Sequence, residues 1–420
     1  ANESYGKAIV PNYHFDKAKV ILSIDADFLG TWISPVEYGK QFASRRKIKD
    51  ATSTINKFYA AESVPTVTGS NADKRIVLKS GDGRRFATAV AVALGKLGVG
   101  AAASATAGYT VEGLASEIGV DAKLIEQIAK DLLAAKGESL VVAGGTSSQT
   151  TDAVDLQIAV NLLNSALDND GKTVDHVNNR GESAGNYSAN LASLQKELNA
   201  GEVGVLFVYG TNPAYQLPSL NLKDAFAKAG LYVSMADRLD ETASFAKYLA
   251  PVTHYLESWG DREAVKGVLS VTQPTIRPIF NTRSFEDSLI VWAGGKLGAA
   301  PSYYEYLKAS YVKKLGSKFN WEDFLRNGSI YKEADIKSNK AGRSFKASAV
   351  TKLPAKESGK SVTLALYTTV ALGDGTHANN ATLQQQTAEN GAGAGGALSS
   401  QDPVVDTART SCSAATQLCT

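Results

Sequence analysis

Two short apolar runs constrain the fold of this chain more than any other feature of its sequence. They are Val20–Ile24 and Val205–Val208. Continuous apolar runs of this length are typical of strands that are buried on both faces of a parallel sheet. Each run is followed by a loop of small and polar residues, then by Pro35 or Pro218 and a helical pattern. The sequence therefore predicts one strand–loop–helix unit used twice, at equivalent places in two α/β domains.

Two further segments follow the same scheme. Residues 231–251 predict a strand followed by a helix that starts near Asp240 and ends before Pro251. Residues 139–171 predict a strand, a Gly-Ser-Thr loop and a long helix with an apolar stripe of Leu156, Ala159, Val160, Leu162, Leu163 and Leu167. Strands that alternate with helices indicate a doubly wound sheet. The predicted fold is α/β, with two Rossmann-like, mainly parallel sheets related by an internal repeat and an irregular C-terminal tail.

The predicted domain boundaries follow changes in composition along the chain. Residues 1–137 form a first α/β domain and residues 138–300 form a second one. Residues 301–335 predict a helical extension, and residues 336–360, which are basic and poor in large apolar groups, predict a linker. Residues 361–420 open as a strand and continue as a low-complexity tail.

Composition excludes several classes of function. The 420 residues carry a net charge of only +2, so charge favours neither nucleic acid nor an anionic membrane as a partner. The two cysteines are Cys412 and Cys419, which leaves the body of the chain without a thiolate for an iron–sulfur cluster or a cysteine zinc site. The chain starts at Ala1, as expected of a processed chain or of a segment of a longer one. Residues 86–109 are rich in Ala and Gly but carry Lys96, so they predict a helix of a soluble domain and no membrane span.

The loop at residues 209–218, YGTNPAYQLP, is the first candidate for ligand binding. It follows a predicted buried strand, which is where ligands bind in open α/β sheets. Gly210 allows close approach of the backbone, and Pro213 stiffens the turn. Thr211 and Asn212 supply polar groups, and the backbone N–H groups could hold a phosphate or the edge of a nucleotide. A tight strand-to-helix connection without a ligand explains the same residues.

The equivalent loop of the first half, residues 25–32, has the opposite character. Asp25 and Asp27 stand where a phosphate cradle would have glycine, and carboxylates repel a pyrophosphate by more than about 1 kcal/mol each at partly buried range. We expect them to act as N-cap acceptors, as cation ligands or as partners of arginines, and we expect this half to have lost nucleotide binding. A third loop, residues 144–152, is rich in glycine but lacks the Lys-Ser/Thr ending of a P-loop, so a capped helix start explains it as well.

Residues 247–263, KYLAPVTHYLESWGDRE, have the composition of an active site. His254 and Glu257 are three residues apart and could act as acid and base or as metal ligands. No second His or Cys lies nearby to complete a zinc site, and the other histidines, His14, His176 and His377, are isolated in sequence. A structural turn packed against Trp259 is therefore the favoured interpretation.

The order of these motifs resembles the molybdopterin oxidoreductase superfamily. The likeness is carried by residues 201–218 and 234–280, which contain the Gly-x-Asn-Pro loop and a later Glu…Gly segment. Residues 13–47, 56–82 and 366–380 resemble one branch of it, the iron–sulfur, molybdopterin-like B subunit of bacterial alternative complex III, which oxidises quinol in respiratory chains. Superfamily enzymes usually have a protein ligand to molybdenum and an N-terminal cysteine set, and this chain shows no such cysteines.

The resemblance also implies where a site once was. The positions that match the nucleotide-contacting segments are Gly210, Thr211, Asn212, Pro213, Glu257 and Gly260, and Asp25 and Asp27 replace the corresponding first loop. One loop kept and one made acidic implies a vestigial site, with no catalytic, cofactor-binding or metal-binding residue in this chain.

The function implied by the resemblance is that of a non-catalytic scaffold. The chain would be a segment of a membrane-associated respiratory quinol:cytochrome c or electron-acceptor oxidoreductase, in which a molybdopterin-like domain lacks the molybdenum cofactor. The 4Fe–4S and 3Fe–4S clusters of the family subunit lie in a part absent here. The implied partners are a cluster-bearing ferredoxin-like domain, cytochrome c subunits and integral membrane subunits, with no nucleic acid. The chain would be held peripherally on the periplasmic side of the bacterial inner membrane.

Two other functions stay open at this point. The chain could be an active molybdopterin-dependent oxidoreductase domain whose metal ligand lies outside it. It could instead be a nucleotide-binding α/β protein that uses Gly144 to Ser148. A pterin nucleotide bound beside Gly210 and Asn212 would indicate the first, and thermal stabilisation by nucleotides would indicate the second. Residues 381–420 match nothing that the resemblance predicts.

Overall fold

The chain divides into two compact units, neither of which is continuous in sequence. The computed structural model describes residues 1–355 except 49, 51, 146–147, 149, 182–186, 295–299, 333 and 335–343, together with residues 380 and 382. The first unit comprises Ala1–Ala184, Glu263–Leu269 and Ile330–Tyr367, and the second comprises Gly185–Arg262, Ser270–Ser329 and Thr368–Thr420. The predicted strand and irregular tail at residues 361–420 lie outside the described residues, apart from 380 and 382.

The first unit is built on a four-stranded parallel sheet. The strands of this unit are β1 (Asn12–Tyr13), β2 (Val20–Ile24), β3 (Lys57–Glu62), β4 (Lys74–Val77), β5 (Ser139–Ala143) and β6 (Val174–Asp175). The sheet has the order β4–β3–β2–β5, and β1 pairs with β6 in an antiparallel ladder. In β2, Ile21 lies opposite Phe58 on one side and Leu140 on the other. Because β5 pairs with β2, the first unit extends to residue 184, beyond the predicted boundary at residue 137.

Helices surround this sheet. They are α1 (Asn2–Tyr5), α2 (Pro35–Ser44), α3 (Val67–Ser70), α4 (Gly83–Lys96), α5 (Gly100–Ala105), α6 (Val111–Ile118), α7 (Ala122–Ala134) and α8 (Ala153–Ala166). The single helix predicted for residues 86–109 is broken between α4 and α5, where Gly98 has a positive φ of 92° that L-residues rarely adopt. Over the described residues, no helix is both long and apolar enough to cross a membrane.

The apolar run of β2 is continuous because both faces of its sheet are covered. Leu22 and Ile24 lie in a core with α4, α7 and α8, whereas Ile21 lies in an aromatic core with Phe28 and Phe58. Successive strand residues point to opposite faces, so a strand between two cores needs apolar residues at every position. Every residue of β2 and β5 is buried, and so is the predicted stripe of α8. The predicted doubly buried strand is confirmed here.

Residues 344–355, which we call the strap, pack against the first unit although they fall within the predicted basic linker. Arg84 of α4 donates to the carbonyl oxygen of Thr351 at 3.0 Å, and Arg85 donates to that of Pro354 at 2.6 Å. Both arginines are buried, and each also has a carboxylate partner on a neighbouring helix. Buried guanidinium groups are costly unless they are paired and hydrogen-bonded. The strap therefore completes the polar contacts of α4.

The second unit has a smaller parallel sheet. Its strands are β7 (Val205–Val208), β8 (Leu231–Ser234) and β9 (Tyr248–Leu249), in that order. A separate three-stranded sheet has the order β10 (Gly260–Val265), β11 (Val268–Thr272) and β12 (Ser329–Tyr331). The helices are α9 (Tyr187–Asn199), α10 (Pro213–Gln216), α11 (Leu222–Phe226), α12 (Phe285–Trp292), α13 (Tyr303–Leu315) and α14 (Trp321–Asn327).

The strand β7 is not buried on both faces, so that prediction is wrong for the second unit. Leu206 and Val208 are buried in a core with α9 and α11. On the other face, Val205 is 50% exposed and Phe207 is 40% exposed. Trp292 of α12 stacks on Phe207 with ring centroids 5.0 Å apart. This short helix covers only part of the sheet. One face of the apolar run, which carries Val205 and Phe207, is therefore about half exposed to solvent.

The two helices predicted after β7 and β8 are also wrong in extent. After β7 the chain forms α10, a 3₁₀ turn at Pro218–Leu220 and α11 instead of one helix. After β8 it forms only a 3₁₀ turn at Ala243–Phe245, in which the Ala243 N–H donates to Asp240 at 2.7 Å. Tyr248–Leu249 then pairs with β8 as a third parallel strand. The backbone N–H and C=O groups that a helix would have paired internally are paired here with the neighbouring strand.

Candidate functional site

The predicted acidic loop lies where a doubly wound sheet would bind a ligand. The sheet has the order β4–β3–β2–β5. From β2 the chain adds β3 and β4 on one side and then reverses to add β5 on the other side of β2. The crevice of such a sheet opens between the loops that follow the two strands at this reversal. Those loops begin at Asp25 and at Gly144. The contacts of these two residues therefore decide whether the first unit has a binding crevice.

Asp25 is a buried acceptor in this position. Its backbone is left-handed, with φ 54°, a conformation that aspartate tolerates better than most residues. Its Oδ1 accepts hydrogen bonds from the backbone N–H of Ser63 at 2.9 Å and from the Ser63 hydroxyl at 3.0 Å. The Asp25 N–H donates to Ala61 at 2.9 Å. The carboxylate thus joins the loop after β2 to the loop after β3.

The crevice between the two loops is closed by the chain itself. A Cβ added to Gly145 would lie 2.5 Å from the carbonyl oxygen of Asp25, which is backbone and cannot move aside cheaply. A Cβ on Gly144 would lie 2.6 Å from the amide of Gln157, which donates to Ala143 at 2.7 Å. The N–H of Gly145 donates to the Ser148 hydroxyl at 2.9 Å, so this N–H has an internal acceptor. Little space is left here for the atoms of a ligand.

Asp27 plays a similar structural role. Its Oδ1 accepts from the backbone N–H of Thr68 at 3.1 Å and from the Thr68 hydroxyl at 2.7 Å. A Cβ on Gly30 would lie only 2.1 Å from its other carboxylate oxygen. The structure shows Asp25 and Asp27 as acceptors from backbone N–H and hydroxyl groups of neighbouring segments; the expected role of N-cap is taken at α3 by Thr66.

The carboxyl edge of the second sheet, in contrast, opens on a cavity of about 1170 Å³. Residues that follow β7, β8 and β9 all contribute to its lining. Of the predicted vestigial positions, Gly210, Thr211, Asn212 and Glu257 line the cavity, whereas Pro213 and Gly260 do not. Gly210 has a positive φ of 65°, and a Cβ added to it would have no atom within 4 Å. The backbone conformation of the turn therefore favours glycine here, and no neighbouring atom excludes a side chain.

Asn212 is fully engaged by its own chain. Its Oδ1 accepts from the hydroxyl of Thr242 at 2.6 Å and from the Thr242 N–H at 3.3 Å. Its Nδ2 donates to Glu241 at 2.7 Å, and its side chain caps α10 through Tyr215. These bonds tie the loop after β7 to the loop after β8, which favours the interpretation of residues 209–218 as a structural connection.

His254 and Glu257 form a cap at the start of the 3₁₀ turn Tyr255–Glu257 and not an acid–base pair. The backbone N–H of His254 donates to Glu257 at 3.0 Å, and the N–H of Leu256 donates to Nδ1 of His254 at 3.3 Å. The other carboxylate oxygen of Glu257 accepts from the N–H of Ile279 at 3.1 Å. Reciprocal bonds of this kind satisfy the free donors of a helix start, which favours the structural interpretation of this stretch.

Four charged residues of the cavity were missed as site residues from the sequence: Asp237, Arg238, Asp240 and Glu241. They follow β8 directly, and their position at the carboxyl end of a parallel strand was the available signal. Hydrogen bonds from Arg238 lower the pKa of Asp237, and a hydrogen bond from Asn212 lowers the pKa of Glu241. Both carboxyl groups are therefore ionised at neutral pH, and the cavity wall is acidic.

No arrangement suited to a metal ion occurs among the described residues, where no group of three or more His, Cys, Asp or Glu side chains converges. In the first unit, His14 lies 3.5 Å from Asp175 and 3.9 Å from Asp16, and His176 lies 3.1 Å from Asp170. Burial favours the neutral form of Asp175, but His14 and hydrogen bonds from its neighbours lower its pKa to about 2. His377 lies outside the described residues.

The comparisons with known proteins agree with the fold and the loop pattern. A sequence profile described as molybdopterin oxidoreductase matches residues 52–287. The chain is 30% identical over 323 residues to the menaquinone reductase, molybdopterin-binding-like subunit of Nitratidesulfovibrio vulgaris, which covers 71% of this chain and 46% of the relative. It is 27% identical over 117 residues to the assimilatory nitrate reductase catalytic subunit of Bacillus subtilis, covering 28% of this chain and 16% of that one.

A solved structure shows the same fold. The acetylene hydratase from Pelobacter acetylenicus superimposes with a TM-score of 0.60 at 14% identity, over 81% of this chain and 55% of that chain. The chain thus spans less than half the length of the menaquinone reductase subunit. The predicted α/β class with parallel sheets is confirmed. Since the family profile matches more than half of its residues, the chain belongs to the molybdopterin oxidoreductase family.

Proposed function

We propose that this chain is a non-catalytic scaffold segment of a membrane-associated respiratory quinone oxidoreductase, and that it holds no molybdenum cofactor. In this proposal, electrons pass through iron–sulfur clusters and haems carried by other parts of the complex, as in alternative complex III. The chain lies on the periplasmic face and is held there by a cluster-bearing domain, cytochrome c subunits and integral membrane subunits. The relative described as a subunit of menaquinone reductase supports a place in a quinone-linked complex.

One observation carries the proposal: the crevice of the first unit is filled by its own backbone. A Cβ on Gly145 would lie 2.5 Å from the Asp25 carbonyl oxygen, and Asp25 is itself held by Ser63 and Ala61. Dinucleotide sites of this architecture need a glycine-rich loop whose backbone N–H groups face the pyrophosphate. Here the carbonyl oxygen and the carboxylate of Asp25 lie where those N–H groups would be needed. The residues present do not fit the nucleotide part of a molybdopterin cofactor.

The second unit supports the same conclusion by its charge. Its cavity has room for a ligand but is lined by four carboxylates and one guanidinium group. Two unit charges of like sign at 4 Å repel by about 1 kcal/mol even in bulk water and by more at a protein surface. A pyrophosphate would meet this repulsion, and the Asn212 side chain would not offset it, because that side chain is committed to Glu241 and Thr242.

The nucleotide-binding alternative that would use Gly144 to Ser148 has less support. The N–H of Gly145 already donates to Ser148, and Gln157 lies against Gly144. The alternative of an active molybdopterin enzyme requires the crevice at Asp25 to open, and the same contacts oppose it.

The test is the cofactor content of the intact complex. The chain is purified with its complex from cells that make molybdenum cofactor, and molybdenum is measured by mass spectrometry together with the fluorescent oxidation product of the pterin. We expect far less than one molybdenum atom and one pterin per chain. A molybdenum-dependent nitrate reductase from the same cells serves as the control that cofactor was available. Stoichiometric pterin with or without molybdenum would overturn the proposal.

A further inference from the structure

The cavity of the second unit has an acidic wall whose charge is not neutralised by its own residues. Asp237 is paired with Arg238 by two hydrogen bonds of 3.0 and 3.1 Å. The other three carboxylates of the wall accept from neutral donors: Asp240 from Ala243, Glu241 from Asn212, and Glu257 from His254 and Ile279. Within the described part of the chain none of these three carboxylates forms a salt bridge, although the charge of Arg238 also acts on Asp240.

The rim of the same cavity is apolar and exposed. Ile279 is 70% exposed and Phe280 is 76% exposed, and both line the cavity. Tyr215 and Tyr255 stand on the rim with about half or more of their surface in solvent. Glu257 holds the Ile279 N–H, which fixes this rim beside the acidic wall. Clustered exposed side chains of this size are typical of a binding surface.

Two further features indicate a ligand larger and more polar than a simple apolar molecule. The cavity volume of about 1170 Å³ exceeds the usual range for small-molecule sites. The buried hydroxyl of Thr253, which belongs to the lining, makes no hydrogen bond to any part of the chain that the structure describes. A buried hydroxyl without a partner is costly, so a bound group that pairs with it would be favoured.

We propose that this cavity receives a basic segment of a partner subunit, in which an arginine or lysine is flanked by apolar residues. The cationic group would lie among Asp240, Glu241 and Glu257, and the apolar neighbours would pack on Tyr255 and Phe280. This inference rests on the proposed function, because that function supplies the partner subunits. It assigns a positively charged protein ligand to the carboxyl edge of the second sheet, where the family resemblance would place a negatively charged nucleotide.

The physical match favours arginine in particular. A guanidinium group donates several hydrogen bonds in one plane and stacks on aromatic faces, and the lining of the cavity contains both carboxylates and tyrosines. Arginine and aromatic residues also dominate the energetic centres of protein interfaces. Acidic and apolar segments lack this match, and a phosphate group would be repelled.

The experiment is photo-crosslinking in the native complex. A benzophenone amino acid replaces Phe280 on the rim, and the same amino acid at Val36, an exposed position of the first unit, serves as the control. We expect the Phe280 crosslinks to map to one segment of a partner subunit that contains arginine or lysine beside apolar residues. In the Asp240→Asn/Glu241→Gln variant we expect the yield to fall about tenfold, the factor that corresponds to losing one charge-assisted hydrogen bond.

A matched charge control is available in the same unit. The variant Glu202→Gln/Asp224→Asn removes two carboxylates that do not line the cavity, and we expect its crosslinking yield to match that of the parent. Asparagine and glutamine keep an acceptor for Ala243 and Asn212, so the test variant should fold, which circular dichroism checks. Crosslinks to acidic segments or to no partner, or a yield unchanged in the cavity variant, would overturn the inference. The result is independent of cofactor content: absent molybdenum with charge-independent crosslinks would reject this inference alone, and stoichiometric pterin would reject the proposed function.

Discussion

The two parallel sheets of this chain end in opposite ways. At the carboxyl edge of the first sheet, the backbone of Asp25 lies against Gly145 and both strands behind them are completely buried. At the carboxyl edge of the second sheet, the loops stand apart around a cavity, and β7 has one face half in solvent. One strand–loop–helix scheme thus gives a closed crevice in one unit and an open cavity in the other.

The comparison teaches that acidic residues at the carboxyl edge of a parallel sheet can act in two physically different ways. In the first unit, Asp25 and Asp27 are acceptors for backbone N–H groups and take over the bonds that join neighbouring loops. In the second unit, Asp240 and Glu241 make fewer internal bonds and leave charge facing solvent. The first arrangement adds stability to the fold, whereas the second leaves a surface available for a partner. Four predictions test this contrast, from the largest expected effect to the smallest.

The largest difference should come from aromatic residues on strands of the two parallel sheets. Phe58 in β3 is completely buried, whereas Phe207 in β7 is 40% exposed. We expect Phe58→Ala to lower the free energy of unfolding by about 3–5 kcal/mol, through lost burial and a cavity. We expect Phe207→Ala to cost about 1 kcal/mol, because less area leaves contact. Urea denaturation measures both values, and hydrogen exchange assigns each loss to its unit. Equal losses would mean that the second sheet is as well covered as the first.

The closed crevice is tested by glycine substitutions at the two edges. Gly145→Ala places a Cβ against the Asp25 carbonyl, and we expect a loss of about 3 kcal/mol from overpacking. Gly210→Ala meets no atom within 4 Å but has to adopt a positive φ, which costs about 1 kcal/mol. Thermal unfolding of the two variants gives the comparison. If Gly145→Ala costs no more stability than Gly210→Ala, the backbone around the crevice moves apart easily, and the difference between a closed and an open edge would not hold.

Acid should weaken the first unit through Asp175. Its side chain is 1% exposed, and its pKa is about 2 in the folded chain, compared with about 3.9 when unfolded. A lowered pKa stabilises the fold above the unfolded value, and this contribution is lost as the pH falls from about 4 through 2. The full contribution is about 2.6 kcal/mol. Unfolding free energies measured between pH 6 and 2.5 should show this slope, and Asp175→Asn should reduce it. An unchanged slope in the variant would assign the acid sensitivity to other groups.

The smallest effect is expected from Glu257→Gln in the second unit. In Glu257 the two carboxylate oxygens accept from the N–H groups of His254 and Ile279. The glutamine keeps one carbonyl oxygen and loses one of these two contacts, so we expect the free energy of unfolding to fall by about 0.5–1 kcal/mol. Because we propose that Glu257 faces a partner segment and no substrate, we expect less complex to assemble in this variant, and the rate of quinol oxidation per assembled complex to stay at the parental value. A general acid or base contributes about 10²–10⁴-fold to a rate, so a fall of that size would identify Glu257 as catalytic and contradict the scaffold proposal.

The sequence predicts the parts of the fold in which local pattern and tertiary environment agree. The apolar run Val20–Ile24 and the stripe of α8 are buried as predicted, because cores lie on the faces that the pattern requires. The run Val205–Val208 has the same pattern but lacks full cover on one face. The helix predicted after β8 is replaced by β9, since pairing with a neighbouring strand overrides helix propensity. Pattern alone contains no information about such long-range partners.

The candidate site is predictable to a similar degree. Loop position and residue type predict Gly210 to Asn212 at the carboxyl edge, the family resemblance adds Glu257, and the structural interpretation of His254 follows from the missing metal ligands. The run from Asp237 to Glu241 was not recognised, because its residues were assigned to a helix start. The closed crevice could not be predicted, since the approach of Gly145 to Asp25 depends on strands that are more than 100 residues apart in sequence.

The strap has a consequence for the order in which this chain is made. Arg84 and Arg85 of α4 find their carbonyl acceptors only in residues 351–354, some 267–269 residues later. During synthesis, residues 185–262 and 270–329, which belong to the second unit, therefore leave the ribosome before these two buried guanidinium groups gain their carbonyl acceptors. Domains generally fold as they emerge, but here the earlier half has to wait for the later one. Translation that stops before residue 351 would leave Arg84 and Arg85 with their carboxylate partners, Asp155 and Glu117, but without these carbonyl acceptors, so we expect such a nascent first unit to be less stable.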